Sequence, residues 1–240
     1  MNTLITCPAC GKTKHKSFGS KNHYEMFECQ ACSLIFVDPI PSNEDLNAFY
    51  QNYHKTSQYT GKLASKQRRA RKRIKSIRKL AQGKSFVDIG CNAGFAVEAA
   101  RTLGLDAYGI DLDHTAIDYA REYFPQAAFD AMSIQELAAT DKTFDIIYCS
   151  EVIEHLPELG SFVDALFNIL RKDGVLFLTT PDIAHYAIKK DRLGWDAVRP
   201  PEHLFYFSKK SLGQLLEAHG FKRVKFKFNF KPTLKVIIQK

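Results

Sequence analysis

Residues 84–95, Lys-Ser-Phe-Val-Asp-Ile-Gly-Cys-Asn-Ala-Gly-Phe, decide the fold. Phe86, Val87 and Ile89 form the short aromatic and β-branched run that suits a strand buried on both faces. Asp88 interrupts the run, Gly90 and Gly94 follow, and an apolar helical pattern (Phe95, Val97, Ala99, Ala100, Leu103) begins at once. Strand, glycine turn and helix N-terminus together make a ligand cradle at the carboxyl edge of a parallel sheet.

The spacing from Asp88 to Gly94 is Asp-x-Gly-x-Asn-x-Gly. It is not the Gly-x-Gly-x-x-Gly that seats a dinucleotide pyrophosphate on a helix N-terminus. A carboxylate at the strand end repels phosphate and attracts an ammonium group, so the loop suits a ligand with a cationic amino-acid end. Twenty-three residues on, Asp111 closes a second strand (107–110), placed to take two ribose hydroxyls.

Here the chain resembles the class I S-adenosylmethionine-dependent methyltransferases. Residues 88–94 are similar to their Asp/Glu-x-Gly-x-Gly-x-Gly loop, and Asp111 to their ribose-binding acid. Asn92 stands at the usual middle glycine, and Asn tolerates unusual backbone angles better than most residues. The resemblance implies S-adenosylmethionine held by Asp88, Gly90, Asn92, Gly94, Asp111 and Leu112. It also carries an adenine-facing acid to Asp130, after the strand 127–129, with Ala131 lining the pocket. An Asp at that place is equally a common helix cap, and the glycine loop alone would fit other α/β proteins.

A chain of 240 residues can bury a large core as one α/β domain or with a small appendage. It has no run of eighteen apolar residues to span a membrane and no signal-peptide pattern at its start, so a cytoplasmic protein is expected. The net charge of +8 favours an anionic partner: nucleic acid, a phosphorylated or nucleotide-linked small molecule, or an acidic lipid surface. Ten Lys or Arg and no acid lie between Lys62 and Lys79, while Leu63, Gln67, Ala70, Ile74, Ile77 and Ala81 fall near one helical stripe. A helix packed on the sheet with a solvated basic face is the simpler reading, and polyanion binding is the alternative.

Cys7-Pro-Ala-Cys10 and Cys29-Gln-Ala-Cys32 are two Cys-x-x-Cys pairs at the spacing of a zinc ribbon. Four thiolates close a tetrahedral site, which supports folding rather than catalysis. Redox dithiols are the alternative, disfavoured in the cytosol. Cys91 and Cys149 read as small buried hydrophobes near the cofactor. Ser42, with Asp45 three residues on, reads as the cap of a short helix, followed by the aromatic stretch 53–59. By resemblance to zinc-ribbon-bearing methyltransferases this arm folds over the cofactor mouth. The expected division is a ribbon over 1–40, a helical arm with the basic helix over 41–82, and a methyltransferase domain over 83–240.

The second informative stretch is the buried strand 144–149, which delivers Ser150-Glu-Val-Ile-Glu-His-Leu-Pro157 to the same sheet edge. Glu151, Glu154 and His155 lie at i, i+3 and i+4, a spacing that shares one face of a helical turn. Such a set suits Mg or Mn. The segment looks like the Glu-x-x-Glu-His motif of quinone-biosynthesis O-methyltransferases and of methyltransferases acting on the 3′-terminal ribose of small RNAs. There a later His adds a ligand, and His203 is the match here. The alternative leaves His155 as a base or a satisfied polar contact.

Residues 182–207 read as a pocket-forming insertion. Ser208 caps a helix ended by Gly220, and a hairpin turns around Pro232. The expected fold is α/β: a Rossmann-like seven-stranded sheet, its last strand antiparallel, with a small N-terminal zinc ribbon. The expected activity is methyl transfer from S-adenosylmethionine to an oxygen of a small molecule with vicinal hydroxyls: a sugar, nucleotide-sugar, catechol or quinone precursor. His155 or His203 would serve as general base, or a divalent ion would lower the hydroxyl pKa. A nucleic-acid methyltransferase and a non-catalytic zinc-ribbon scaffold remain as alternatives. The missing Asn/Asp-Pro-Pro-Tyr pattern at 148–155 disfavours methylation of base amines.

Overall fold

The computed structural model describes residues 5–42, 44–46, 49, 63–188 and 191–240. The aromatic stretch 53–59, and with it the arm expected over the cofactor mouth, lies outside the described residues. Ser42 does cap as its sequence suggests, its Oγ accepting from the Asp45 amide at 3.1 Å.

The main sheet is built from β4 (Ser85–Ile89), β5 (Asp106–Asp111), β6 (Ala128–Ala131), β7 (Phe144–Ser150), β8 (Leu170–Pro181), β10 (Arg223–Lys227) and β11 (Thr233–Gln239). Their order is β10-β11-β8-β7-β4-β5-β6. The five strands from β8 to β6 are parallel, and β11 runs antiparallel to both its neighbours. Side chains alternate between two cores, as the two-residue period of a strand requires. Phe86, Ile146, Tyr148, Val175 and Phe177 face one side, and Val87, Ile147, Cys149, Leu176 and Leu178 the other.

The first side is covered by α1 (Leu63–Ile77) and α2 (Phe95–Arg101), with Ala70, Ile74 and Ile77 of α1 buried against the sheet. The basic helix is therefore a packed helix with a charged outer face. The second side is covered by α5 (Leu159–Ile169) and α6 (Lys209–Ala218). Short helices α3 (His114–Tyr123) and α4 (Ile134–Ala138) complete the βα alternation. Residues 171–174, Arg-Lys-Asp-Gly, stay within β8. The pairing with β7 shifts register there, and Asp173 takes a φ of 63°.

A second sheet runs β1 (His15–Lys21), β2 (Tyr24–Cys29), β3 (Ile35–Val37) and β9 (Phe205–Tyr206). Its last strand comes from the insertion, with Ile35 opposite Tyr206 and Phe36 opposite Phe205. Cys7, Leu34 and Phe36 share one core with Leu159, Phe162 and Leu212. The cysteine-bearing segment is thus fused to the second face of the main sheet.

Candidate active site

The loop after β4 is set by backbone conformation. Gly90, Asn92 and Gly94 take φ of 71°, 47° and 78°. A Cβ at Gly90 would lie 2.6 Å from Val152 Cγ2, so both the angle and the space require glycine. Asn92 meets its left-handed angle without glycine, and its Oδ1 accepts from the Ala93 amide at 2.8 Å.

All five loop amides are spent inside the protein. Gly90 and Cys91 both donate to Ile110 O at 2.9 Å, and Gly94 donates to Cys91 O at 3.0 Å. Asn92 donates to Asp111 Oδ2 at 2.7 Å, and Ala93 to the Asn92 side chain. A phosphate cradle works by aiming such amides outward at the anion; this loop aims none. Asp111 is oriented by that bond and by the Asp113 amide, 3.0 Å from Oδ1. Asp88 is only 4% exposed, and burial, then the charge of Asp111, pushes its carboxyl well above the usual range. An ammonium group beside it would reverse that shift.

Leu112 projects outward, 64% exposed. Asp130 is engaged on both oxygens, accepting from Tyr108 OH at 2.7 Å and Arg121 at 3.1 Å. Ala131 is half-buried beside it.

The end of β7 carries the second cluster. The shared helical face expected for Glu151, Glu154 and His155 does not form. Glu151 takes a left-handed φ of 59°, and only residues 153–155 make a single 3₁₀ turn. Glu154, His155 and His203 are brought together, their nearest donor atoms within 4.8 Å of one another. His155 Nε2 lies 3.9 Å from Glu154 Oε1, and the two imidazole centroids are 4.7 Å apart. Glu151 stays outside this group, although its charge reaches Glu154.

Backbone carbonyls fix both imidazoles. His155 Nδ1 donates to Glu202 O at 2.7 Å, and His203 Nδ1 to Ala197 O at 2.8 Å. Each Nε2 therefore carries the lone pair, the tautomer a base or a metal ligand needs. His203 Nε2 accepts from Arg199 at 3.3 Å. Burial holds His155 down at about 4 and His203 at about 3. Burial, then the charge of Glu151, pushes Glu154 up to about 8. Thr180 donates to Glu154 Oε2 at 2.9 Å, while Oε1 is buried with no hydrogen-bond partner among the described residues. That orphaned oxygen, beside two lone-pair nitrogens, is a donor set a divalent ion fits.

The four ribbon thiols are free of disulfides, and Cys7–Cys32 and Cys10–Cys29 each stand 3.6 Å apart. Four sulfurs at ~2.3 Å from a tetrahedral zinc would be spaced by about 3.8 Å. The set suits that ion.

Two arginines went unrecognised in the sequence. Arg73 of α1 donates to Tyr148 OH at 3.0 Å and Ser150 Oγ at 3.2 Å, and its charge reaches Glu151. Nine basic neighbours hid it, but its place beside Ile74, three residues after Ala70, puts it on the buried stripe. Arg199 pairs with Glu202 at 3.0 Å and sends its charge to Glu151, Glu154 and both histidines. Nothing in its local sequence marks it.

A family model described as methyltransferase domain matches residues 59–225. The ubiquinone biosynthesis O-methyltransferase of Glaesserella parasuis is 34% identical over 107 residues, covering 41% of this chain and 45% of that relative. The chain spans about half the length of the curated relatives it matches, 52% and 45% for two of them. A SAM-dependent methyltransferase from Archaeoglobus fulgidus superimposes with a TM-score of 0.61 at 18% identity, over 80% of this chain and all (100%) of that one. The magnesium protoporphyrin IX methyltransferase of Synechocystis, solved with bound SAH, gives 0.58 at 14% identity over 80% and 94% of the two chains. These two likenesses speak for the fold.

Proposed function

The chain belongs to the methyltransferase-domain family, and on that premise we propose that it methylates an oxygen of a small molecule with adjacent hydroxyls, using S-adenosylmethionine. The observation that carries the cofactor is the inward-spent loop: five amides turned away from any phosphate, beside a buried Asp88 whose raised carboxyl awaits a cation. When bound, the sulfonium supplies a methyl group already activated for displacement.

The chain's residues do the rest. Asp88 binds the ammonium end, Asp111 the ribose hydroxyls, and Gly90, Asn92 and Gly94 shape the turn. Leu112, Asp130 and Ala131 border the adenine. His155 Nε2 would take the proton that the acceptor hydroxyl gives up as its oxygen is methylated. Glu154 and His203 hold the neighbouring hydroxyl, with Glu151 at the rim. A weak imidazole base suffices only where alignment does most of the work. The orphaned Glu154 oxygen favours a second reading, in which Glu154, His155 and His203 hold Mg or Mn; such an ion would lower the pKa of a hydroxyl.

The ubiquinone relative supports an oxygen acceptor on a small molecule, and the basic excess supports one bearing phosphate or linked to a nucleotide. Structural zinc at Cys7, Cys10, Cys29 and Cys32, the three-part division of the chain, and a cytoplasmic setting belong to the same proposal. No helix among the described residues is long and apolar enough to cross a membrane.

The test is a screen of small-molecule acceptors for a mass gain of one methylene, with and without a chelator. His155→Ala should keep SAH affinity within about twofold and lower turnover by ~10²–10⁴. Normal turnover in that variant would remove His155 from catalysis.

A further inference from the structure

A concavity lies beyond the histidines, at the same sheet edge. It encloses about 490 Å³ between the start of the insertion (Asp182, His185, Tyr186), the first turn of α6 (Lys209, Lys210) and the end of β10 (Lys227, Phe228, Asn229). Asp182 stands two residues past Thr180, the partner of Glu154, hence about 7 Å further along the strand. The cavity therefore borders the place where an acceptor would sit, on the side away from the cofactor loop.

Its walls are fixed. His185 Nε2 donates to Asn229 O at 3.0 Å while its Nδ1 accepts from the Ala187 amide at 3.1 Å, tying the insertion to the hairpin. Lys235 holds the Asn229 side chain at 2.9 Å. Ser33, directly after the last ribbon cysteine and itself at φ 65°, closes the rim.

The charge inside is lopsided. Lys209, Lys210 and Lys227 line the opening and are exposed, and no ion pair within 4 Å or side-chain hydrogen bond engages them among the described residues. The one carboxylate on the wall, Asp182, is 5% exposed, accepts from the Ala184 amide and feels the charge of Lys209, which leaves two lysines to its one negative charge. Three lysines border one concavity, and an anion bound there would offset their mutual repulsion. Phe228, 69% exposed, and Tyr186, 70% exposed, offer flat apolar surface beside them.

We propose that this cavity binds the phosphate or diphosphate group of the acceptor, anchoring it while its hydroxyls lie at Glu154, His155 and His203. The inference rests on the proposed acceptor methylation for its purpose but not for its binding chemistry. Lysines are suited to such a role as point charges that reach a phosphate without fixed geometry.

Titration calorimetry of the full chain with inorganic pyrophosphate at low salt reads the site directly. Wild type should bind saturably, and Lys209→Ala/Lys227→Ala should bind at least about tenfold more weakly. Lys172→Ala/Lys222→Ala, which removes the same charge at the opposite sheet edge, should stay within twofold. Absence of saturable binding to wild type, or equal weakening in the two double variants, would overturn the site. SAH titrated separately tells the two proposals apart. A protein that binds pyrophosphate here and ignores SAH keeps the anion site and loses the methyltransferase reading; the reverse result keeps the activity and loses the site.

Discussion

The two halves of the candidate active site are built differently. The cofactor half, over β4, β5 and β6, comes from one stretch of chain, residues 88–131, joined by short bonds such as Asn92 N to Asp111 at 2.7 Å. The acceptor half draws on α1, the end of β7, β8, the insertion and the ribbon. It is held by contacts between distant segments: Arg73 to Ser150, Thr180 to Glu154, and Leu204 N to Glu154 O at 2.8 Å. A site made of neighbouring residues survives the loss of remote structure. A site assembled from five segments does not.

If the four ribbon cysteines hold the proposed zinc, its removal should expose that difference most strongly. Val37 N donates to Leu204 O at 3.0 Å, and Leu204 in turn holds the Glu154 carbonyl, so the ribbon sheet is two hydrogen bonds from the 153–155 turn of the candidate site. Structural zinc contributes several kcal/mol or more, ~10 in small zinc domains. Chelator treatment, or Cys10→Ser, should release hydrogen-exchange protection over 15–37 and 203–206 and abolish turnover, while SAH affinity changes less than about threefold. Parallel collapse of SAH binding would show that the two halves are one cooperative unit.

Asp88→Asn probes the other half. The buried carboxyl has a folded pKa raised above its unfolded value, so its protonation favours the fold at low pH and that benefit is lost as pH rises. The amide removes the penalty: apo protein at pH 7.5 should melt a few degrees higher than wild type. SAH affinity should fall at least ~100-fold, because a bound ammonium loses its counter-charge. A variant that binds SAH normally would detach Asp88 from the cofactor.

The same contrast explains what the sequence made legible. The strand-glycine-helix run, Asp111 and the ribbon cysteines were readable because each depends on residues close in the chain or on a two-residue period, and the seven-stranded sheet with its antiparallel last strand came with the family resemblance. The insertion yielded less. That Phe205–Tyr206 would join the ribbon sheet rather than the main one is decided by docking against Ile35 and Phe36, which no local pattern records. The helical face expected for Glu151, Glu154 and His155 failed because the backbone at Glu151 turns left-handed to leave β7, its amide still bonded to Thr179 O at 2.9 Å. His203 was found through its motif, and Arg73 was lost among like charges.

The smallest effect tests the electrostatics of the acceptor half alone. In metal-free protein His155 and His203 are held neutral down to about 4 and about 3, against 6.5 when unfolded. Their folded pKa values are depressed, so their contribution is whole above about 6.5 and is lost as pH falls through the folded values. Glu154, raised to about 8 from 4.5, contributes oppositely, losing stability as pH rises across that span. The two slopes oppose each other between about 4.5 and 6.5, so the wild-type profile alone is uninformative. The difference between wild type and His155→Gln/His203→Gln isolates the imidazoles. Between pH 7.5 and pH 5 wild type should lose ~1–2 kcal/mol per histidine relative to the variant, measured by urea denaturation with chelator present. A flat difference would mean that the imidazoles gain solvent or a partner on protonation, and that the carbonyls of Ala197 and Glu202 do not hold them as rigidly as the cofactor loop holds Asp111.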